Sequence, residues 1–200
     1  MTQPSLRRGL AVGAVLLALG ATACGSSSSG ASSTKGAAPP TKEVSPSGDI
    51  PDNQAYVAFT PPGGGFSVKV PEGWAQRSAS GAVAFTDKLN TIRIESHTAS
   101  APLTAGAARG SELAKLAHSV KGFKPGNVST VNRKAGTAVR ITYQASSPAD
   151  PVTGKTVTDA VERYVFFHKG RAVVLTLSGP KGADNVDPWR LVTDSVRWSA

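Results

Sequence analysis

The chain of 200 residues contains a single cysteine, Cys24, and this constrains the fold more than any other feature. One cysteine permits neither an intrachain disulfide nor a metal site built from cysteines. The stability of the folded part must therefore come from an apolar core. Residues 24–200 are enough for one domain of ordinary size.

The segment from Arg7 to Cys24 has the pattern of a signal peptide. Arg7 and Arg8 form a cationic flank, and the residues from Leu10 to Ala23 are apolar or small apart from Thr22. A helix of about fourteen such residues is roughly 21 Å long, shorter than the ~30 Å hydrocarbon core of a bilayer. The pattern therefore indicates a cleaved signal peptide over 1–23 and not a permanent membrane span.

The residues Ala21-Thr22-Ala23-Cys24 resemble the lipobox of bacterial lipoproteins, although this family prefers Leu at the position of Ala21. The resemblance implies cleavage between Ala23 and Cys24 and a diacylglycerol on the Cys24 thiol. It further implies a protein held by lipid chains on the extracytoplasmic face of the cell membrane. Ordinary secretion is the alternative, because Ala-Thr-Ala also suits the general signal peptidase.

Residues 24–55 read as a tether between the anchor and a domain over 56–200. From Gly25 to about Asn53 the chain is rich in Ser, Gly, Ala, Pro and Thr, a composition that predicts disorder. The whole chain has 22 basic and 13 acidic residues, a net charge of +9, and loss of Arg7 and Arg8 leaves +7. This charge favours anionic lipid or acidic envelope polymers as neighbours. Nucleic acid is not expected as a partner in that compartment.

The pattern after Tyr56 predicts an α+β domain, with helices packed on an antiparallel sheet. Apolar residues alternate with polar ones over 66–70, 91–95 and 139–143, and a hairpin is predicted from Val157 to Leu177. Two helices interrupt the strands. The first is capped by Thr104 and buries Leu113, Leu116, Ala117 and Val120; the second is capped by Asp187 and buries Trp189, Val192 and Val196.

Two short motifs add a second resemblance. The sequences F-S-V-K-V-P-E-G-W at 66–74 and S-V-R-W at 195–198, with a helix between them, resemble the Mog1/PsbP-like domain found in actinobacterial lipoproteins. The resemblance implies an αβα sandwich used mainly to bind other proteins. It carries no catalytic residues and no cofactor.

Chemistry-bearing residues are sparse in this sequence. His97, His118 and His168 are scattered over a strand end, a helix and a hairpin tip, and no G-x-S-x-G turn presents a serine nucleophile. No cluster has metal-ligand spacing. We therefore expect no enzyme, no cofactor and no metal. A hydrolase would require a histidine within hydrogen-bond reach of a serine or carboxylate inside a cleft.

Basic residues concentrate at expected turns and element ends, and Lys134, Lys169 and Arg171 are candidates for a surface that binds an anionic partner. The leading hypothesis is a membrane-anchored, non-enzymatic binding or assembly factor with a protein partner or an anionic envelope component. The alternative is a carrier of a small apolar or lipidic ligand, which would need a pocket of several hundred cubic ångströms between sheet and helix.

Overall fold

The computed structural model describes residues 47–150 and 152–199. The predicted signal peptide, Cys24 and the tether up to residue 46 lie outside the described residues. In the described ranges, no helix combines the length and the apolar character needed to cross a membrane.

A seven-stranded antiparallel sheet forms the centre of the domain, in the order β3-β4-β5-β9-β8-β7-β6. Its strands follow one another through hairpins, except where the helical segment separates β5 from β6. The bounds are β3 Ala75–Ala79, β4 Ala82–Asp87, β5 Asn90–Thr98, β6 Lys124–Arg133, β7 Gly136–Ser146, β8 Thr158–His168 and β9 Arg171–Pro180.

The central strands of this sheet are buried on both faces, and they carry apolar residues on both sides. Ile92 and Ile94 face one cluster together with Tyr164 and Phe166. Val139, Ile141 and Tyr143 face a second cluster on the other side, as their alternation predicts. Helices and a second sheet cover the two faces, so the predicted α+β fold is confirmed.

The first face is covered by a small antiparallel sheet and the C-terminal helix. The bounds are β1 Tyr56–Phe59, β2 Phe66–Pro71, β10 Arg197–Trp198 and α3 Val186–Asp194. Trp189, Val192 and Val196 are buried, as predicted. The predicted cap is wrong: Asn185 precedes the helix, while Asp187 is exposed in its first turn. The side chain of Asn185 is used elsewhere in the fold and makes no hydrogen bond to the helix.

The second face is covered by one helical segment, consisting of α1 Ala105–Ala107, a π-helical turn Ala108–Glu112 and α2 Leu113–Ser119. The backbone N–H of Ala107 donates to Thr104 Oγ1 over 3.1 Å, which confirms the predicted cap. Leu116 is buried and Leu113 packs beside it. Ala117, predicted to face the core, is exposed: α2 ends at Ser119 and buries only Leu116 in full, so the apolar stripe is narrower than predicted.

The packed domain begins before Tyr56. Ile50 is 4% exposed and belongs to the main core cluster. Its backbone N–H donates to Asn185 Oδ1 over 2.8 Å, and Asn185 Nδ2 donates to Gly48 O and to Asn90 Oδ1, each over 3.0 Å. This network joins the start of the domain to the β4–β5 turn and to α3. The prediction from composition had placed these residues in the tether over 24–55.

Candidate functional site

Two of the predicted basic turns are neighbours at one end of the large sheet. Lys134 lies in the β6–β7 turn, where Arg133 pairs with Gly136, and Lys169 lies in the β8–β9 turn, where His168 pairs with Arg171. Strands β7 and β8 are adjacent and antiparallel. Both turns therefore lie at the same end of the sheet. We call this end, with Lys134, Lys169 and Arg171, the cationic end.

The backbone of the β8–β9 turn places Lys169 in an uncommon conformation. Lys169 has φ +44° and Gly170 has φ +79°, so both residues of this two-residue turn are left-handed. Such turns favour Asn-Gly, since a residue with a larger side chain is strained at positive φ. A lysine at the first position therefore costs stability and places its ammonium group at the tip of the hairpin.

Trp198 contacts both basic turns. Its indole Nε1 donates to Ala135 O in the β6–β7 turn over 3.0 Å. Its ring stacks on His168, beside the β8–β9 turn, with centroids 5.1 Å apart, and contacts Phe66 with centroids 6.3 Å apart. One tryptophan thus fixes the positions of two hairpin tips relative to each other.

Arg171 crosses the loop that leads into β2. A Cβ atom added to Gly65, which has φ +84°, would lie 2.9 Å from the Arg171 Nε. The positive φ favours glycine, and a larger residue would also displace the guanidinium group of Arg171. The glycine run 63–65 therefore has a structural role next to a candidate site residue.

The three basic side chains of the cationic end form no ion pair within the described part of the chain, although Asp187 and Asp194 line the same surface groove as Lys134. None of Lys134, Lys169 and Arg171 lies within ion-pair distance of a carboxylate there. The opposite end differs, since its lysines alternate with acidic residues. This mixed set contains Asp49, Asp87, Lys88, Lys121, Lys124, Asp150, Lys155, Lys181 and Asp184.

The histidines do not form a catalytic arrangement in the described ranges. His168 is stacked on Trp198, His118 is exposed on α2, and His97 lines a groove. No hydrogen bond joins any of these three side chains to a serine or a carboxylate within that part. It also contains no group of three or more residues arranged to hold a metal ion.

A groove between the helical segment and the large sheet has a volume of about 510 Å³. Val165, Ala172 and Val174 form its floor, and Pro102 and Leu103 form part of its rim. This is the position at which the sequence hypothesis of a ligand carrier required a pocket. The lining contains valine and leucine but no phenylalanine.

A charged cluster borders the groove on the face of the sheet. Arg163 Nη1 donates to Thr176 Oγ1 over 2.9 Å and to Glu95 Oε2 over 3.3 Å, while Arg93 Nη2 donates to Glu95 Oε1 over 3.0 Å. Burial alone would raise the pKa of Glu95, but the hydrogen bond from Arg93 and the positive charges of both arginines lower it below its usual value. Glu95 is therefore ionised, and the cluster retains one excess positive charge.

Sequence reasoning missed this cluster. Arg93 and Glu95 alternate with buried isoleucines, a pattern that predicts an ordinary solvent-exposed face of a strand. Their partner Arg163 is 68 residues away from Glu95 in the sequence. The charged residues within the apolar pattern of β8 could have indicated this cluster, since a strand buried on both faces has little room for an unpaired arginine.

Comparison with known proteins supports the fold alone. No protein-family model and no curated protein sequence matches the chain. Among solved structures, cyanobacterial PsbP from Synechocystis matches with a TM-score of 0.52 and 13% identity, over 73% of this chain and 94% of that one. At this identity the match shows the fold alone, and it supports the PsbP-like domain suggested by the two sequence motifs.

Two further structures are similar at lower scores. A protein from Bacteroides thetaiotaomicron matches with a TM-score of 0.47 and 18% identity, over 72% of this chain. The match spans 48% of the Bacteroides chain, so about half of that protein has no counterpart here. The Ran-binding protein Mog1p of Saccharomyces cerevisiae matches with a TM-score of 0.48 and 11% identity, over 72% of this chain and 96% of that one.

Proposed function

We propose that this chain is a lipid-anchored extracytoplasmic protein whose domain binds an anionic envelope component, without catalysis, through the cationic end. One observation carries the proposal. Two adjacent hairpin turns present Lys134 and Lys169, with Arg171 beside them, and none of the three is paired with a carboxylate in the described ranges.

The physical basis is a local excess of positive charge. Lysine or arginine near an anionic surface contributes on the order of 1 kcal/mol each, so the three side chains together contribute about 3 kcal/mol. Attraction between exposed charges is screened by salt, because the Debye length falls from ~10 Å at 0.1 M to ~3 Å at 1 M. Binding of this kind must therefore weaken steeply with ionic strength.

The path of the chain favours a polymer over the anchoring bilayer as the anionic partner. The chain enters the described domain near Gly48, which is bonded to Asn90 and Asn185 at the end opposite to the cationic end. Strands of eleven residues separate the two ends by about 36 Å. The cationic end is thus remote from the point where the tether joins. Phosphodiester-bearing envelope polymers have the required charge and lie beyond the bilayer.

The test uses the mature chain, residues 24–200, with Cys24→Ala to remove the lipid. Its binding to poly(glycerol phosphate) is measured by calorimetry at 0.1 M and 1 M salt. We expect tight binding at low salt and at least about a hundredfold weakening by the triple substitution Lys134→Glu, Lys169→Glu and Arg171→Glu. Vesicles of phosphatidylglycerol provide a second arm, which distinguishes a lipid phosphate from a polymer phosphate.

A matched control has the same change in charge at the opposite end. Lys121, Lys124 and Lys181 are exposed, and replacing all three by Glu leaves the cationic end unchanged. We expect this control to bind nearly as tightly as the parent. Equal weakening by both triple variants would show that net charge alone determines binding, and salt-independent binding would exclude an electrostatic surface.

The anchor is tested separately through Cys24. Cells given an alkyne-bearing fatty acid should label the natural chain and not Cys24→Ala, because the proposed acyl chains require the Cys24 thiol. The same substitution should move the protein from the membrane fraction to the soluble extracytoplasmic fraction. Equal labelling of the two forms would end the lipoprotein interpretation without affecting the proposal for the cationic end.

A further inference from the structure

The groove beside the helical segment is a separate site from the cationic end. Its apolar floor is formed by Val165, Ala172 and Val174, which are neighbours on β8 and β9. Its volume of about 510 Å³ lies within the range of ~300–1,000 Å³ that is typical of small-molecule sites. The groove is therefore large enough for a ligand and offers it an apolar floor.

Arg163 supplies a polar group in the wall of this groove. One edge of its guanidinium group is occupied, because Nη1 donates to Thr176 and to Glu95. Its Nε is buried and has no hydrogen-bond partner. The side chain of Arg163 is 19% exposed. A buried donor without a partner is costly, and a small rotation of the guanidinium group toward the groove would let a bound carboxylate satisfy it.

The local charge favours an anion at this position. Arg93 and Arg163 share the single carboxylate of Glu95, so one positive charge remains without a counterion. Lys115 and Glu112, on the helical side of the groove, form a pair with a distance of 2.8 Å and cancel each other. An anionic head group thus complements the sheet side of the groove.

The helix that forms the other wall is irregular where it meets the groove. Its π-helical turn begins directly after Ala107 and ends at Glu112, and both of these residues line the groove. The N–H of Leu113 is shared between Ala108 O and Gly110 O. Short π-helical turns are rare and often occur beside functional sites, where they redirect side chains.

From these observations we infer that the groove binds a single-chain amphiphile with an acidic head group, such as a fatty acid. The apolar chain lies over Val165, Ala172 and Val174, and the carboxylate binds the free edge of Arg163. This inference is independent of the proposed binding at the cationic end, since the two sites share no residue.

The experiment is a calorimetric titration of the mature chain with Cys24→Ala, using decanoate and 1-decanol as probes. The two molecules have the same chain length and differ in the charge of the head group. We expect decanoate to bind at least about tenfold more tightly than 1-decanol, because a hydrogen bond to a charged group is worth that much. Absence of decanoate binding, or equal affinity for the two probes, would overturn the inference.

Two variants of the same helix locate the site. Ala107 is exposed and lines the groove, and Ala114 is exposed on the same helix but does not line it. Ala107→Trp should fill the groove and weaken decanoate binding at least about tenfold, whereas Ala114→Trp should leave it unchanged. Equal binding by the two tryptophan variants would place the ligand elsewhere and refute the site.

Arg163→Gln tests the head-group contact, provided that its thermal melting shows a folded protein. It should abolish the preference for decanoate over 1-decanol and leave the affinity for 1-decanol nearly unchanged. The triple variant of Lys134, Lys169 and Arg171 should bind decanoate like the parent. Loss of decanoate binding in that variant would assign the effect to the cationic end and contradict the groove.

Discussion

The Lys169–Gly170 turn offers a substitution that should raise stability and lower binding at the same time. Asn tolerates the left-handed conformation that Lys169 adopts at φ +44°, and Asn-Gly is the preferred pair in such turns. Lys169→Asn should therefore raise the free energy of unfolding by about 0.5–1 kcal/mol. In a domain of this size this corresponds to a rise in Tm of about 1–4 °C.

The same substitution removes one of the three charges at the cationic end. Each lysine contributes on the order of 1 kcal/mol, so affinity for poly(glycerol phosphate) should fall about fivefold at low salt. The effect should disappear at 1 M salt, because the lost interaction is a screened one. Urea unfolding measures the gain in stability, and calorimetric titration measures the loss of affinity.

Lys88 provides the control for this experiment. It also lies in a hairpin turn with φ +50°, but at the opposite end of the sheet. Its ion pair with Asp87, at 4.0 Å and largely exposed, contributes little. Lys88→Asn removes the same charge at the opposite end and should leave affinity unchanged. If Lys169→Asn and Lys88→Asn change affinity equally, or if neither does, the assignment of binding to the cationic end is refuted.

Further predictions concern the fold itself. Asn185→Ala should cost about 1–3 kcal/mol in urea unfolding, because it leaves the buried N–H of Ile50 without a partner; a neutral effect would contradict the network. Burial raises the pKa of Asp159 from 3.8 to about 6, so the folded state loses stability as pH rises from about 4 through 6. Asp159→Asn should therefore stabilise the protein by about 1–3 kcal/mol at pH 8 and little at pH 4, and an equal effect at both pH values would refute this. Deleting residues 25–46 should leave Tm unchanged, whereas deleting 25–50 removes Ile50 from the core and should lower it; equal melting of the two would show that Ile50 is dispensable.

The elements that could be predicted from the sequence are those whose pattern is local. Alternation around Ile92 and Ile94 predicts β5, and Thr104 predicts the start of the first helix. Strand β3 escaped prediction because all five of its residues are exposed, which leaves no apolar alternation to detect. The three-stranded sheet was not anticipated either. Strand β10 has only two residues, and its partner β2 lies near the start of the domain in the sequence.

Residues with long-range partners account for the other differences. Asp187 precedes a proline and suits a helix cap, but the helix begins after Asn185, whose side chain bonds to Gly48, Ile50 and Asn90 and not to the helix. No local pattern indicates such a network. The candidate residues Lys134 and Lys169 were identified from turn composition alone, whereas their adjacency depends on the pairing of β7 with β8.

Amide hydrogen exchange is the most direct test of binding at the cationic end, because it reports which end of the domain meets the partner. The mature chain with Cys24→Ala is exchanged at low salt with and without poly(glycerol phosphate). Binding at the cationic end predicts slower exchange in the peptides that contain Lys134 and Lys169, and unchanged exchange in those that contain Lys88 and Lys181. Slower exchange at Lys88 and Lys181, with none at Lys134 and Lys169, would contradict it.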